Sequence, residues 1–165
     1  MLELKKYQKS DAPFLLSWLQ NEHTFRYWCT DTYRVFPPTA EEIHDFYASW
    51  GENIRIFTAF DGEDPIGHIT IRRLDKMASE WRLGFILVDE NKRGRGYGKE
   101  MLNLAIRYAF DELNAAAITI GVFEENIAAR ALYEKLGFIP TGEVRHYHFF
   151  GKEMPYPILK MEKKA

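Results

Sequence analysis

Three glycines at alternate positions, Gly94, Gly96 and Gly98, interleave with Arg93, Arg95 and Tyr97 and run into Lys99. Before them, Phe85 to Val88 is an apolar, partly branched run bounded by charge, the pattern of a buried strand. After them, Leu102, Ile106, Phe110 and Leu113 recur at helical spacing, with Met101, Ala105, Tyr108 and Ala109 widening the face. A glycine loop that opens a helix presents free backbone N–H groups and the positive end of the helix dipole. Phosphate oxygens are the natural ligand of such a concavity. Arg93, Arg95 and Lys99 add charge of the matching sign. The run is not a Walker loop, because Glu100 follows Gly98-Lys99 where a magnesium-binding hydroxyl belongs and Arg93 replaces the first glycine. It also misses the dinucleotide fingerprint: Gly98 arrives one residue early, and the loop sits mid-chain rather than after a first strand. Read alone, it is either a phosphate cradle or a tight strand-to-helix turn with a basic edge.

Two blocks of residues narrow this choice. Arg93-Gly94-Arg95-Gly96-Tyr97-Gly98 fits the Arg/Gln-x-x-Gly-x-Gly/Ala signature of the GNAT superfamily of acyl-CoA-dependent N-acyltransferases. Downstream, Asn126, Ala129, Tyr133, Gly137 and Phe138 fall in an N-x-x-A-x-x-x-Y-x-x-x-G-F pattern that resembles a second block of that superfamily, in the same order. The resemblance covers roughly the second half of the chain. It implies acetyl-CoA as co-substrate with no metal, and a cofactor-binding set of Arg93, Gly94, Arg95, Gly96, Tyr97 and Gly98. It adds the backbones of Ile86 and Val88 along the pantetheine arm, and Asn126, Ala129 and Tyr133 on one face of the following helix. By the same match Tyr133 is the catalytic acid.

The chemistry agrees with that assignment. When an amine attacks a thioester, a proton must leave the nitrogen and the departing sulfur must be stabilised. A coenzyme thiol near pKa 8.5 and a phenol near roughly 10 suit a hydrogen bond from tyrosine to sulfur. Packing with the hydroxyl at the rim is the alternative for Tyr133, and an ordinary N-cap is the alternative for Asn126. No base is evident. The position where related ribosomal-protein N-acetyltransferases carry a glutamate reads Ile120-Gly121-Val122. Glu80 opens the central strand and shares a face with Arg82, Gly84, Ile86 and Val88 by period-two counting, so a proton relay through water is its candidate role, beside that of a surface strand-end residue. Glu124 and His68 are weaker candidates. His146 and His148 share a strand face, but with no third ligand no metal site is expected.

These residues need a scaffold to position them. At 165 residues the chain is read as one N-acetyltransferase domain, 1–165, and 46% hydrophobic content supplies a core. Leu2 and Leu4 begin a strand, and Ser10 or Asp11 caps a helix with Pro13 in its first turn. An aromatic stretch around His23 to Cys29 leads to a second helix capped by Thr39, with the capping-box glutamate one residue from ideal. Strands over 54–60 and 66–74 flank a hairpin turn at Asp61-Gly62, and the central strand runs from about Glu80 to Val88. A strand over 117–122, a helix from Asn126 to Leu136 with Gly137 as its C′ residue, and two late strands over 138–150 and 155–161 complete the chain. The order predicts an α/β fold on a mixed, mostly antiparallel central sheet with one parallel strand pair, and the resemblance implies that this is a GNAT-like sheet whose parallel pair is splayed and flanked by helices.

A net charge of −2 with no basic segment argues against nucleic acid as a partner. No apolar run reaches membrane-spanning length and no signal peptide is recognisable, so the expected location is the cytoplasm, with no membrane partner. Cys29 is the sole cysteine, which precludes an intrachain disulfide. The expected partner is a small-molecule or peptide amine acceptor, and homodimerisation is left open. The leading reading is transfer of an acetyl group from acetyl-CoA to a primary amine of a small molecule or of a peptide or protein N-terminus. A non-catalytic acyl-CoA-binding module is the alternative, and a nucleotide binder a distant third.

Overall fold

The computed structural model describes residues 1–75 and 79–164. Seven strands, β1 (Leu2–Lys6), β2 (Ile54–Asp61), β3 (Asp64–Arg73), β4 (Glu80–Val88), β5 (Ala117–Gly121), β6 (Ile139–Phe149) and β7 (Lys152–Glu162), form one sheet in the order β1-β2-β3-β4-β5-β7-β6. Every pairing is antiparallel except β4 with β5, which are parallel and joined through α4 (Tyr97–Asp111). That is the expected mixed sheet. Its helices divide between the faces. Met101, Leu102, Ala105 and Ala109 of α4, with Tyr133 of α5 (Ile127–Leu136), pack on one face against Ile69, Ile71, Leu83, Ile118 and Ile120. The other face meets α1 (Ala12–Trp18), α2 (Glu22–Cys29) and α3 (Ala40–Trp50) through an aromatic cluster that includes Trp28, Tyr47 and Phe85.

Four expectations need correction. The chain has three helices before β2, not two, because the aromatic stretch is itself helical. The Asn21 side chain accepts from the Thr24 N–H, and Phe25, Trp28 and Cys29 fall on one buried stripe. Neither Ser10 nor Asp11 caps α1 through its side chain: the Asp11 carboxylate instead accepts from the Gln8 N–H at 3.0 Å and the Thr58 hydroxyl at 2.8 Å. The capping box of α3 is in ideal register, since the helix begins at Ala40 and Glu42 is its third residue. The β2–β3 turn is Gly62-Glu63, one residue later than read, because Asp61 and Asp64 still pair. The pairing of β6 with β7 shifts register between Pro140 and Val144.

Candidate active site

The site begins as a fault in the sheet. β4 and β5 pair only from Glu80–Ala117 to Leu83–Ile120, and beyond Leu83 the two strands part. The parting starts at a bulge: on β3, Ile69 alone stands between the pairs His68–Leu87 and Thr70–Gly84, so it faces two residues of β4. One of the two, Phe85, sits in the left-handed region at φ 49°, which is costly for a side chain of its size. Two side chains hold this geometry. The Trp28 indole donates to the Phe85 carbonyl at 3.1 Å, and the Thr70 hydroxyl donates to the Gly84 carbonyl at 3.1 Å. Phe85 itself is buried among Trp28, Phe46 and Tyr47. The strand sequence alone gives no signal for these pins, because a buried tryptophan and a strand threonine read as ordinary core.

The parted strands open a cleft of about 780 Å³. Its walls include Ile86 and Val88 of β4, and Asn126, Ala129 and Tyr133 of α5. The separate residues of the second sequence block are thus brought together with the central strand. Arg93, Gly94, Gly96, Tyr97, Gly98 and Lys99 also line it. Gly94 and Gly96 have φ of 80° and 78°, and the space a Cβ would occupy on either is open for 4 Å. Gly96 is the left-handed residue from which α4 starts, with no side-chain cap, so the first N–H groups of the helix are left for a ligand. Arg93, Arg95 and Lys99 are exposed around this cradle. An uncapped helix start, an empty concavity and three cations fit a diphosphate.

The predicted residues do not all have equal freedom. Tyr97 begins α4 rather than the loop, and its hydroxyl donates to Asp61 at 2.7 Å, so that side chain is structural at its tip. Gly98 is helical, and a Cβ there meets only ordinary contacts with Val88 and Leu132. The Asn126 side chain accepts from the Ala129 N–H at 3.4 Å, the N-cap role, while the residue still lines the cleft. Tyr133 is 7% exposed, and burial, with Tyr156 nearby, pushes its phenol well above its ordinary pKa.

Glu80 opens β4 at 3.3 Å from the Lys160 ammonium and is not among the residues that line the cleft. His68 lies outside it as well, buried against Tyr47, whose hydroxyl is 2.7 Å from Nε2; burial lowers its pKa to about 3. Glu124 is exposed on the loop before Asn126. Its neighbour Glu125 receives Lys152 at 2.6 Å and Tyr27 at 2.8 Å, and these donors hold its pKa down at about 2. His146 pairs with Glu153 at 2.8 Å, and among the described residues no group of three or more metal-ligating side chains forms. A second cleft, of about 850 Å³ and lined by Tyr7, Trp81 and Tyr108 among others, contains none of the predicted residues. No helix among the described residues is long and apolar enough to cross a membrane.

Comparison with known proteins agrees with this geometry. Residues 1–139 match the family model for the acetyltransferase (GNAT) domain. The spermidine N(1)-acetyltransferase of Vibrio cholerae is 24% identical over 143 residues, covering 87% of this chain and 82% of that protein. The N-acetyltransferase YoaA of Bacillus subtilis is 24% identical over 151 residues, covering 90% and 85%. Among solved structures, the spermidine N-acetyltransferase of Vibrio cholerae in complex with CoA and spermine superposes with a TM-score of 0.85 at 22% identity, over 98% of this chain and 95% of that one. A putative phosphinothricin N-acetyltransferase gives 0.83 at 22% identity, over the whole of both chains. The splayed strands, the glycine cradle and the match over most of the sequence have one reading: the chain belongs to the acetyltransferase (GNAT) family and is an acetyl-CoA-dependent N-acetyltransferase.

Proposed function

We propose that the protein transfers the acetyl group of acetyl-CoA to the primary amine of a small molecule or peptide, by direct attack on the thioester, with Tyr133 donating to the departing sulfur. The observation that carries this is the placement of Tyr133 on the wall of the cleft that β4 and β5 open, with the glycine cradle lining the same cleft. The cradle of Arg93, Gly94, Arg95, Gly96 and the start of α4 receives the pyrophosphate, and the backbone of Ile86 and Val88, on the edge that β5 no longer pairs, runs beside the pantetheine. Asn126 and Ala129 complete the wall.

In the reaction the amine nitrogen forms a bond to the acyl carbon, the carbon–sulfur bond breaks, and the nitrogen loses a proton. Burial keeps the Tyr133 phenol protonated, so it serves first as a hydrogen-bond donor to sulfur as charge builds there. Glu80 lies outside the cleft, paired with Lys160 on the strand face of Arg82 and Gly84, so its part is to take the amine proton only through a chain of waters. The spermidine acetyltransferases among the relatives make polyamines one acceptor class to test. A turnover screen with acetyl-CoA over N-terminal peptides, amino acids, aminoglycosides and polyamines, with product detection by mass, tests the reading. Acetyl-CoA binding without any acetylated product would leave a binding module instead.

A further inference from the structure

The sheet face beneath α3 carries charge where a core would be expected. One row of paired positions crosses four strands as Arg72, Arg82, Thr119 and Lys160. Arg82 is 7% exposed, and its Nε donates to the Thr119 hydroxyl at 3.0 Å. Arg72 is clamped between two rings, its guanidinium carbon 5.1 Å from the Trp50 ring centre and 5.0 Å from that of Phe85. Its Nε is buried and has no hydrogen-bond partner. Arg145, on β6, adds a third guanidinium close enough to repel both. Two carboxylates stand nearby, and both are engaged: Glu143 with Arg145 at 3.2 Å and Glu80 with Lys160 at 3.3 Å. Among the described residues, Arg72 and Arg82 have no ion-pair partner.

A buried guanidinium without an anion is costly, so the buried Arg82 and the partly buried Arg72, with its orphaned Nε, make a place where a ligand anion would be favoured. Neither guanidinium lines the cleft itself; Arg72 reaches nearest to it, behind Gly84. One terminal nitrogen of Arg72 lies 3.3 Å from where a Cβ on Gly84 would be, and Gly84 lines the cleft, as does Tyr156, which packs over Gly121. A Cβ at residue 84 would press on that nitrogen. The phosphates of the co-substrate do not supply the missing anion, because the glycine cradle lies beyond Val88, about 20 Å further along β4 from Arg82. Gly84 adjoins the bulge at Phe85, where the strands part.

We propose that the acceptor amine carries an oxyanion, the carboxylate of an α-amino-acid-type molecule, which Arg72 and Arg82 receive at Gly84. This rests on the acetyl-transfer reading above and names its acceptor class. A carboxylate bound at Gly84 directs the adjacent amine to the bulge one residue along. A polyamine would bring a further cation to a site that already holds an excess of them.

The test is acetylation of the common L-amino acids, each paired with its carboxamide, beside spermidine and putrescine. At least one amino acid is expected to exceed its own carboxamide in kcat/KM by about 10²-fold, since loss of the oxyanion strands buried donors. Arg72→Gln is expected to cut that preference to about tenfold or less while leaving acetyl-CoA affinity within about threefold, and Arg72→Lys to restore part of it. If Arg72→Gln does not fold, the acid-to-amide ratio of the wild-type protein decides alone. Carboxamides or polyamines acetylated as well as the acids overturn the acceptor assignment and leave acetyl transfer standing. No product from any amine overturns both.

Discussion

Replacing Tyr133 with phenylalanine removes one oxygen from the wall of the cleft and little else. The ring keeps its packing against Phe138, with centroids 6.3 Å apart, and remains among the buried residues of the α4 face. Among the described residues no side chain hydrogen-bonds the phenol, so no buried partner is stranded. The stability change should therefore stay within about 1 kcal/mol, and acetyl-CoA affinity within a few-fold. The effect on chemistry is of another size. A donor that meets charge only as the sulfur departs contributes about 10²–10⁴-fold, which is about 2.7–5.4 kcal/mol of barrier. Loss of an interaction confined to the transition state lowers kcat and kcat/KM together. Product release can conceal a slow chemical step, so single-turnover acetyl transfer in a rapid-quench instrument is the proper assay. Because burial raises the phenol above its ordinary value near 10, the wild-type rate should show no loss from its ionisation between about pH 6 and 9. An unchanged single-turnover rate in Tyr133→Phe would refute the assignment and reduce Tyr133 to packing.

Three further outcomes are expected. Gly96→Val places a branched side chain in the phosphate cradle at a φ of 78°, and calorimetry should show acetyl-CoA affinity down by at least about tenfold with the circular dichroism spectrum retained; unaltered affinity removes the cradle from the binding site. Glu80→Gln should slow turnover most at low pH, where the amine is most protonated; full activity with every acceptor from about pH 6 to 9 excludes the relay. Burial lowers the pKa of His68 to about 3, so below about 6.5 the unfolded chain takes up a proton that the folded chain refuses. Stability from this residue is complete above 6.5 and declines as the pH falls toward 3, so urea midpoints should drop less steeply with acid in His68→Gln than in the wild type. Parallel slopes would show that His68 contributes nothing to the acid limb.

The local pattern carried much of the fold because short-range chemistry decides it. Alternation marked the strands, Gly137 stopped α5, and the run of glycines before α4 marked a strand-to-helix turn that leaves the first helical N–H groups uncapped. The spacing of Asn126, Ala129 and Tyr133 placed them on one helix face, since a helix of known period leaves no choice. One local signal is masked by composition: the aromatic stretch from His23 to Cys29 is given no element of its own from sequence, although Asn21 caps it and its buried residues keep helical spacing.

The separation of β4 from β5 was available only from the resemblance to a family, because no residue between Gly84 and Val88 announces it. It depends on a bulge held by Trp28 and Thr70, which lie 57 and 14 residues from the carbonyls they bind. The unpaired state of Arg72 and Arg82 was equally invisible. A charged residue in a strand is ordinary until the neighbouring strands show which carboxylates reach it, and here Glu80 and Glu143 are drawn to other cations. Periodicity sets which face a side chain takes, while strand register and helix packing, both fixed by contacts distant in the chain, set what that face meets.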